Sequence, residues 1–230
     1  MRFEHWGGLH LFILFFTVLI GLGLPWLARN FFSSRQRDRI GVILGAILLL
    51  NYLVYIIYRI EGGYWQIRYD LPMEFCNWAA IVTSLALFTK NRILAELSYF
   101  WVMAGSFQGV LTPDLSVSFP HIYFFIFFIA HSGLVISALY VVLGLELPPR
   151  KGAVLRSVLY TQIYVVVALC VDFLLDANYG YMRGKPEAGS ALDFLGPWPV
   201  YLIWLEALGI LFFTVLYLPF LKRNRVSLTN

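Results

Sequence analysis

Seven apolar runs follow one another along the chain, separated by short polar or basic stretches. They are LHLFILFFTVLIGLGLPWLA (9–28), IGVILGAILLLNYLVYIIYRI (40–60), LPMEFC through Phe88 (71–88), LAELSYFWVMAGSFQGVL (94–111), IYFFIFFIAHSGLVISALYVVL (122–143), VLRSVLYTQIYVVVALCVDFLL (154–175) and VYLIWLEALGILFFTVLYLPFL (200–221). Each approaches the roughly 20 residues that a helix needs to cross a hydrocarbon core. The pattern predicts an all-α polytopic membrane protein, a bundle of about seven transmembrane helices forming a single domain over residues 1–230. The first run is longer than a signal-peptide core and is followed by RNFFSSRQRDR instead of a small-residue cleavage site, so it is expected to remain as a helix.

Composition agrees: 60% of residues are hydrophobic, 18% aromatic and 13% charged, against about a quarter charged in an average globular domain. Charge then sets an expected orientation. Arg29, Arg35, Arg37 and Arg39 follow run 1, Lys90 and Arg92 follow run 3, Arg150, Lys151 and Arg156 surround the start of run 6, and Lys222, Arg223 and Arg225 follow run 7. The alternate loops hold only Arg2, Arg59, Arg68, Arg183 and Lys185. The positive-inside rule therefore puts the N-terminus outside and the C-terminus in the cytoplasm. The net charge of +4 calls for no nucleic-acid partner, because basic loops also lie well against anionic head groups. No internal repeat, CxxC, HExxH, GxGxxG or Walker loop occurs, so no metal and no cofactor are expected.

Polar residues inside the runs carry the chemistry, since each costs free energy in hydrocarbon unless it faces a bundle interior or a cavity. Counted inward at 1.5 Å per residue, Gln108 and Cys76 lie about 6 Å from the outer ends, Asp172 slightly deeper, Glu206 about 10 Å and His131 about 16 Å. A polar pocket in the outer half follows. Pro72 suits the entry of a helix, which would put Cys76 in the first turn or two of run 3, where the helix dipole favours a thiolate. A thiolate with a neighbouring base forms acyl-enzyme intermediates with esters, and His131 is the histidine well inside a run that is placed to serve. Glu74 or Glu206 would orient its far nitrogen; Asn77, Gln108 or backbone N–H groups of run 3 would stabilise an oxyanion. Contact requires helix tilt or an inward-dipping segment before Pro72, because the two depths differ by about 10 Å.

Blander assignments stand beside these. A lone membrane cysteine also serves as a small hydrophobe; His131, Asn51, Asp172 and Glu206 also serve as interhelical hydrogen-bonding or ion-pairing groups, and Glu96 as an interfacial structural residue. A rival function is a small-solute or proton-coupled transporter, or a binding or sensor protein, with Asp172, Glu206, Gln108 and Asn51 along a polar route.

The stretches LTPDLSVSFPHIYFFIFFIAHSGLVISALY and NYGYMRGKPEAGSALDFLGPWPVYLIWLEAL, with LPMEFC upstream, resemble the bacterial YwaF-like family of integral membrane proteins over most of the chain. A eukaryotic branch of that superfamily is a polytopic phospholipid acyltransferase using a membrane cysteine and histidine, which by position match Cys76 and His131. A more distant likeness is to membrane hydrolases of fatty-acid esters with a threonine nucleophile, which lack this cysteine. Where the family is expected to read like LPLHLC, this chain has Glu74 in place of the histidine. The resemblance implies a multi-pass protein of a bacterial plasma membrane in which Cys76 and His131 act together, and it does not identify the substrate; the resulting expectation is an acyltransferase or hydrolase of a phospholipid or fatty-acyl ester whose head group rests among Asp172, Tyr179, Arg183 and Lys185. The oligomeric state stays open.

Overall fold

The computed structural model describes residues 3–186 and 191–221, and these residues form helices and connecting segments without a β-strand. The basic residues expected after run 7, Lys222, Arg223 and Arg225, lie outside them. All seven apolar runs are helical: α1 (Gly8–Phe31), α2 (Ser34–Glu61), α3 (Phe75–Thr89), α4 (Arg92–Trp101), α5 (Ile122–Gly144), α6 (Ala153–Leu175) and α7 (Val200–Phe220). Helix α4 runs on through a π-helical turn, Val102–Ser106, into a last turn, Gln108–Leu111.

Local chemistry sets the helix ends. Ser33 and Gln36 cap α2 reciprocally, side chain to backbone in each direction. Lys90 closes α3 in the left-handed region, and Asn91 at once accepts the first free amides of α4, from Ile93 and Leu94. The result is a tight α3–α4 hairpin, latched by a hydrogen bond between Thr83 and Ser98.

Five helices, α1, α2, α5, α6 and α7, are long and apolar enough to cross a bilayer. Their outward faces carry Phe12, Phe15, Ile43, Leu50, Val166 and Ile203, all well exposed. Such a surface is stable against lipid tails, not water. Helices α3, α4 and α5 form the centre, where Leu48 of α2 joins Ala79, Phe100, Trp101, Val102 and Leu134 in the main apolar core. Since lipid does not drive helices together, small residues and polar latches do. Gly45 of α2 seats Phe88, Ser84 donates to the Gly45 carbonyl, Asn51 donates to Ile126 of α5, and Thr17 of α1 donates to Ser132 of α5. Asn51 is thus an interhelical latch. Between α4 and α6 the Trp101 indole donates to Thr161. Glu96, 1% exposed, is held by both Arg150 and Arg156 at 2.8 Å, which makes it structural.

Helix α3 departs from a full span. Its 15 residues cover about 22 Å, short of a hydrocarbon core of about 30 Å. The preceding segment, 62–74, makes up the difference by folding back along α2. Asp70 on that segment pairs with Arg59 (Nε to Oδ1, 2.8 Å) and accepts from the Tyr55 hydroxyl, while its carbonyl accepts from Tyr52 at 3.0 Å. Tyr52 lies nine residues before the end of α2, so the segment reaches about 13 Å inward before α3 begins. Non-helical backbone at that depth must be satisfied by protein. Here Gln66 N–H donates to Asp70, Tyr179 donates to the Ile67 carbonyl, Leu71 N–H donates to the Tyr179 oxygen, and Tyr164 donates to the Met73 carbonyl. An inward dip before Pro72 is one of the two arrangements, beside helix tilt, that contact between Cys76 and His131 calls for.

Candidate active site

The dip sets Cys76 within the bundle. Glu74 caps α3 without a side-chain bond to its first turn, and the N–H groups of Phe75 and Cys76 find no acceptor among the described residues. Two donors therefore sit free at a helix N-terminus, beside a mostly buried thiol. Phe75 is clamped between Trp101 (5.3 Å between centroids) and Tyr164 (5.1 Å), and it lies against Gly105 of the π turn, where an added Cβ would come 2.7 Å from the ring. The neighbour of Gly105, Ser106, carries the hydroxyl that comes within reach of the Cys76 sulfur.

His131 of α5 meets the same stretch of α4 one turn further on. A Cβ on Gly109 would stand 2.2 Å from its Cδ2 and 2.8 Å from its Nε2, so the imidazole fills the space that glycine leaves. Its Nδ1 is 2.9 Å from the Phe127 carbonyl. A carbonyl only accepts, so in the neutral ring Nδ1 carries the proton and Nε2 is the bare nitrogen facing α4. The Phe127 ring stacks on the imidazole at 4.2 Å. The sequence GSFQG, Gly105 to Gly109, thus receives Phe75 on one turn and His131 on the next, about 6 Å apart along the axis. No hydrogen bond joins Cys76 and His131 among the described residues; Phe75, the neighbour of Cys76, and His131 seat on successive turns of α4.

The carboxylates expected to orient His131 do other work. Glu74 accepts from Gly180 N–H at 3.1 Å and Glu206 accepts from Gln162 of α6 at 2.7 Å, while Phe127 already holds the imidazole. Asn77 makes no side-chain hydrogen bond among the described residues, and Gln108 is exposed with its carbonyl capped by Thr112.

The residues expected around a head group divide. Asp172 is fully buried and accepts from Tyr179 N–H at 2.7 Å, leaving its other oxygen unpartnered. Tyr179 is buried in the joint between the two outer segments; burial pushes its phenol above the usual tyrosine range, which keeps it a donor to Ile67. Both are structural because the second outer segment, like the first, needs its backbone satisfied. Arg183 donates to the carbonyls of Asp172 and Ala177 at the end of α6, and also pairs with Asp176 at 3.1 Å. Lys185 lies over the Tyr201 ring and near Asp193. Arg183 lines a polar pocket of about 290 Å³ at this end of the bundle, together with Arg68, Tyr69, Asp176 and Asn178. Arg68 and Asp70 were not singled out from sequence, because only the fold-back of 62–74 brings one to Asp176 and the other to Arg59.

A second, apolar groove of about 350 Å³ opens sideways between α3, α4 and α6, walled by Trp78, Val82, Leu97, Trp101 and Ile163. Trp78 and Trp101 tie it to the site: Trp78 packs on Tyr164 and Trp101 on Phe75. No group of three or more metal-ligating side chains occurs among the described residues.

A protein of Treponema pallidum (strain Nichols), itself described as an uncharacterized protein, is 31% identical over 223 residues, covering 95% of this chain and 90% of its own length. No solved structure gives a significant match. Residues 3–217, from the first described residue nearly to the end of α7, match the TMEM164 family, and the chain belongs to that family of membrane proteins.

Proposed function

We propose that the protein is a membrane-embedded lipid acyltransferase or lipid ester hydrolase in which Cys76 attacks an acyl ester of a phospholipid. The observation that carries this reading is a pair of successive turns of α4: Gly105 receives Phe75, the neighbour of Cys76, and Gly109 receives His131 with its bare Nε2 inward. The acyl chain lies in the lateral groove at Trp78 and Trp101, and the free N–H groups of Phe75 and Cys76 face the developing oxyanion. The head group rests at the outer polar pocket, with Arg68 joining Arg183 there.

His131 takes the thiol proton as general base. The thiolate adds to the ester carbonyl, the tetrahedral intermediate collapses to an acyl thioester, and the alcohol of the lysolipid leaves with the proton returned by His131. The thioester then passes to the hydroxyl of a lysophospholipid or to water, with His131 again as base. The turns that carry Arg29, Lys90 and Arg150 would face the cytoplasm of a bacterial plasma membrane, which opens the Cys76 end to the outer leaflet; the Treponema relative agrees with a bacterial setting. A transport route is less well supported, since Asn51, Asp172 and Glu206 each engage a separate local partner.

The test is turnover of a phospholipid labelled in its acyl chain by purified protein. Cys76→Ser and His131→Ala should each abolish release or transfer of label while the protein stays helical and extractable. Full turnover by either variant removes that residue from the mechanism.

A further inference from the structure

Ser106 is fully buried, and its hydroxyl has no hydrogen-bond partner among the described residues. Helical threonines such as Thr89 and Thr161 return to the carbonyl four residues back, whereas the buried serines Ser106, Ser137 and Ser157 do not. For Ser106 that carbonyl belongs to Val102, and in the π turn it already accepts Phe107 N–H from five residues on, at 2.8 Å. The Ser106 hydroxyl is thus free on the widened turn and within reach of the Cys76 sulfur. The seat of Phe75 on Gly105 holds the start of α3 against this turn, and single π turns recur at functional sites for this kind of reason.

We propose that Ser106 is a positioning residue for Cys76, donating its hydroxyl hydrogen to the sulfur when the sulfur is anionic and holding the thiolate on the α4 face that His131 shares. The inference rests on Cys76 being the nucleophile, but it concerns the thiolate itself and is testable without lipid. A neutral thiol is a weak partner for a hydroxyl and a thiolate a strong one, so the contact forms only on ionisation. The orphaned state of Ser106 in the resting protein is what this requires.

The titratable groups that face Cys76 are Glu74 at the cap of α3, Tyr164 of α6 and Tyr181 of the outer segment, with His131 across the turn. All are unchanged in the variants below, so their influence cancels in the comparison. The experiment uses the full chain in detergent with Cys170→Ala, which leaves Cys76 as the sole thiol of the two. Alkylation of Cys76 by iodoacetamide is followed by intact mass across pH. Loss of a hydroxyl that stabilises the anion moves the alkaline rise of the rate upward. For Ser106→Ala a shift of about one pH unit is expected, equivalent to about tenfold slower alkylation on the rising limb, with acyl-thioester formation from phospholipid slowed by a similar factor. Ser106→Thr should restore the profile and Ser106→Val, of the same shape, should not. Ser157→Ala, which deletes a buried unpartnered hydroxyl elsewhere, should leave it unchanged. A wild-type profile in both Ser106→Ala and Ser106→Val overturns the inference. A shifted profile in a protein that never becomes acylated keeps the Ser106 contact and rejects the acyl-transfer chemistry; acylation with no shift does the reverse.

Discussion

A single methyl group added at Gly109 tests the placement of His131. The Cβ of Gly109→Ala would lie 2.2 Å from the imidazole Cδ2, whereas ordinary van der Waals contact begins at 3.4 Å, so the ring must retreat by about 1.2 Å. It cannot swing freely, because Phe127 both stacks on it and accepts its Nδ1 proton. Overpacking of this kind costs about 1–3 kcal/mol, and alanine returns up to about 1 kcal/mol of helix propensity. The expected net loss of stability is therefore between about 0 and 3 kcal/mol. Catalysis should suffer more, since an error of about 1 Å in a reacting group costs about 10²-fold. Single-turnover acylation of Cys76 should fall about a hundredfold in Gly109→Ala while the unfolding midpoint in detergent moves little. Gly209→Ala, where a Cβ meets open space, should leave the rate alone. Wild-type acylation kinetics in Gly109→Ala would mean that His131 is not the base or is not held at this turn.

Three further perturbations separate structure from chemistry. Asp70→Asn leaves Arg59 without its ion pair at the centre of the fold-back; removing one partner of a buried pair costs about 3–5 kcal/mol, and an SDS-unfolding titration that shows no loss would contradict the anchoring role. Glu206→Gln keeps an acceptor for Gln162 and does not touch His131, so acylation should change less than about twofold, within the scatter of a surface-type substitution; a loss comparable to His131→Ala would reinstate Glu206 as an orienting group. Ile163→Trp fills the mouth of the lateral groove, and competition between long- and short-chain phospholipids should then favour the short chain by about tenfold, in line with about 1.4 kcal/mol for lost apolar burial; equal use of both would place the chain elsewhere.

The seven helices were readable in the apolar runs because a hydrocarbon solvent demands unbroken apolar length. Their latches were partly readable: Asn51 and Glu96 stand alone in apolar surroundings and prove to be a hydrogen bond to α5 and a double ion pair. The depth of Cys76 was not, because residues counted from Leu71 as one straight run begin their helix only at Phe75, after a fold-back held by Asp70. Polar residues near an outer end looked like ligand groups, whereas Asp172, Tyr179 and Glu74 are consumed in satisfying two non-helical segments at membrane depth. The importance of Gly105 and Gly109 lies in what fills the space beside them, which no spacing rule states. Ser106 likewise presents its free hydroxyl from a π turn that has no sequence signature of its own.

The central claim is a thioester on Cys76. Purified protein incubated with a defined phospholipid and examined by intact-protein mass spectrometry should gain a fatty-acyl increment that hydroxylamine removes, absent in Cys76→Ala and suppressed in His131→Ala. Across a broad lipid panel, no increment on the wild type and no release of lysolipid would contradict it.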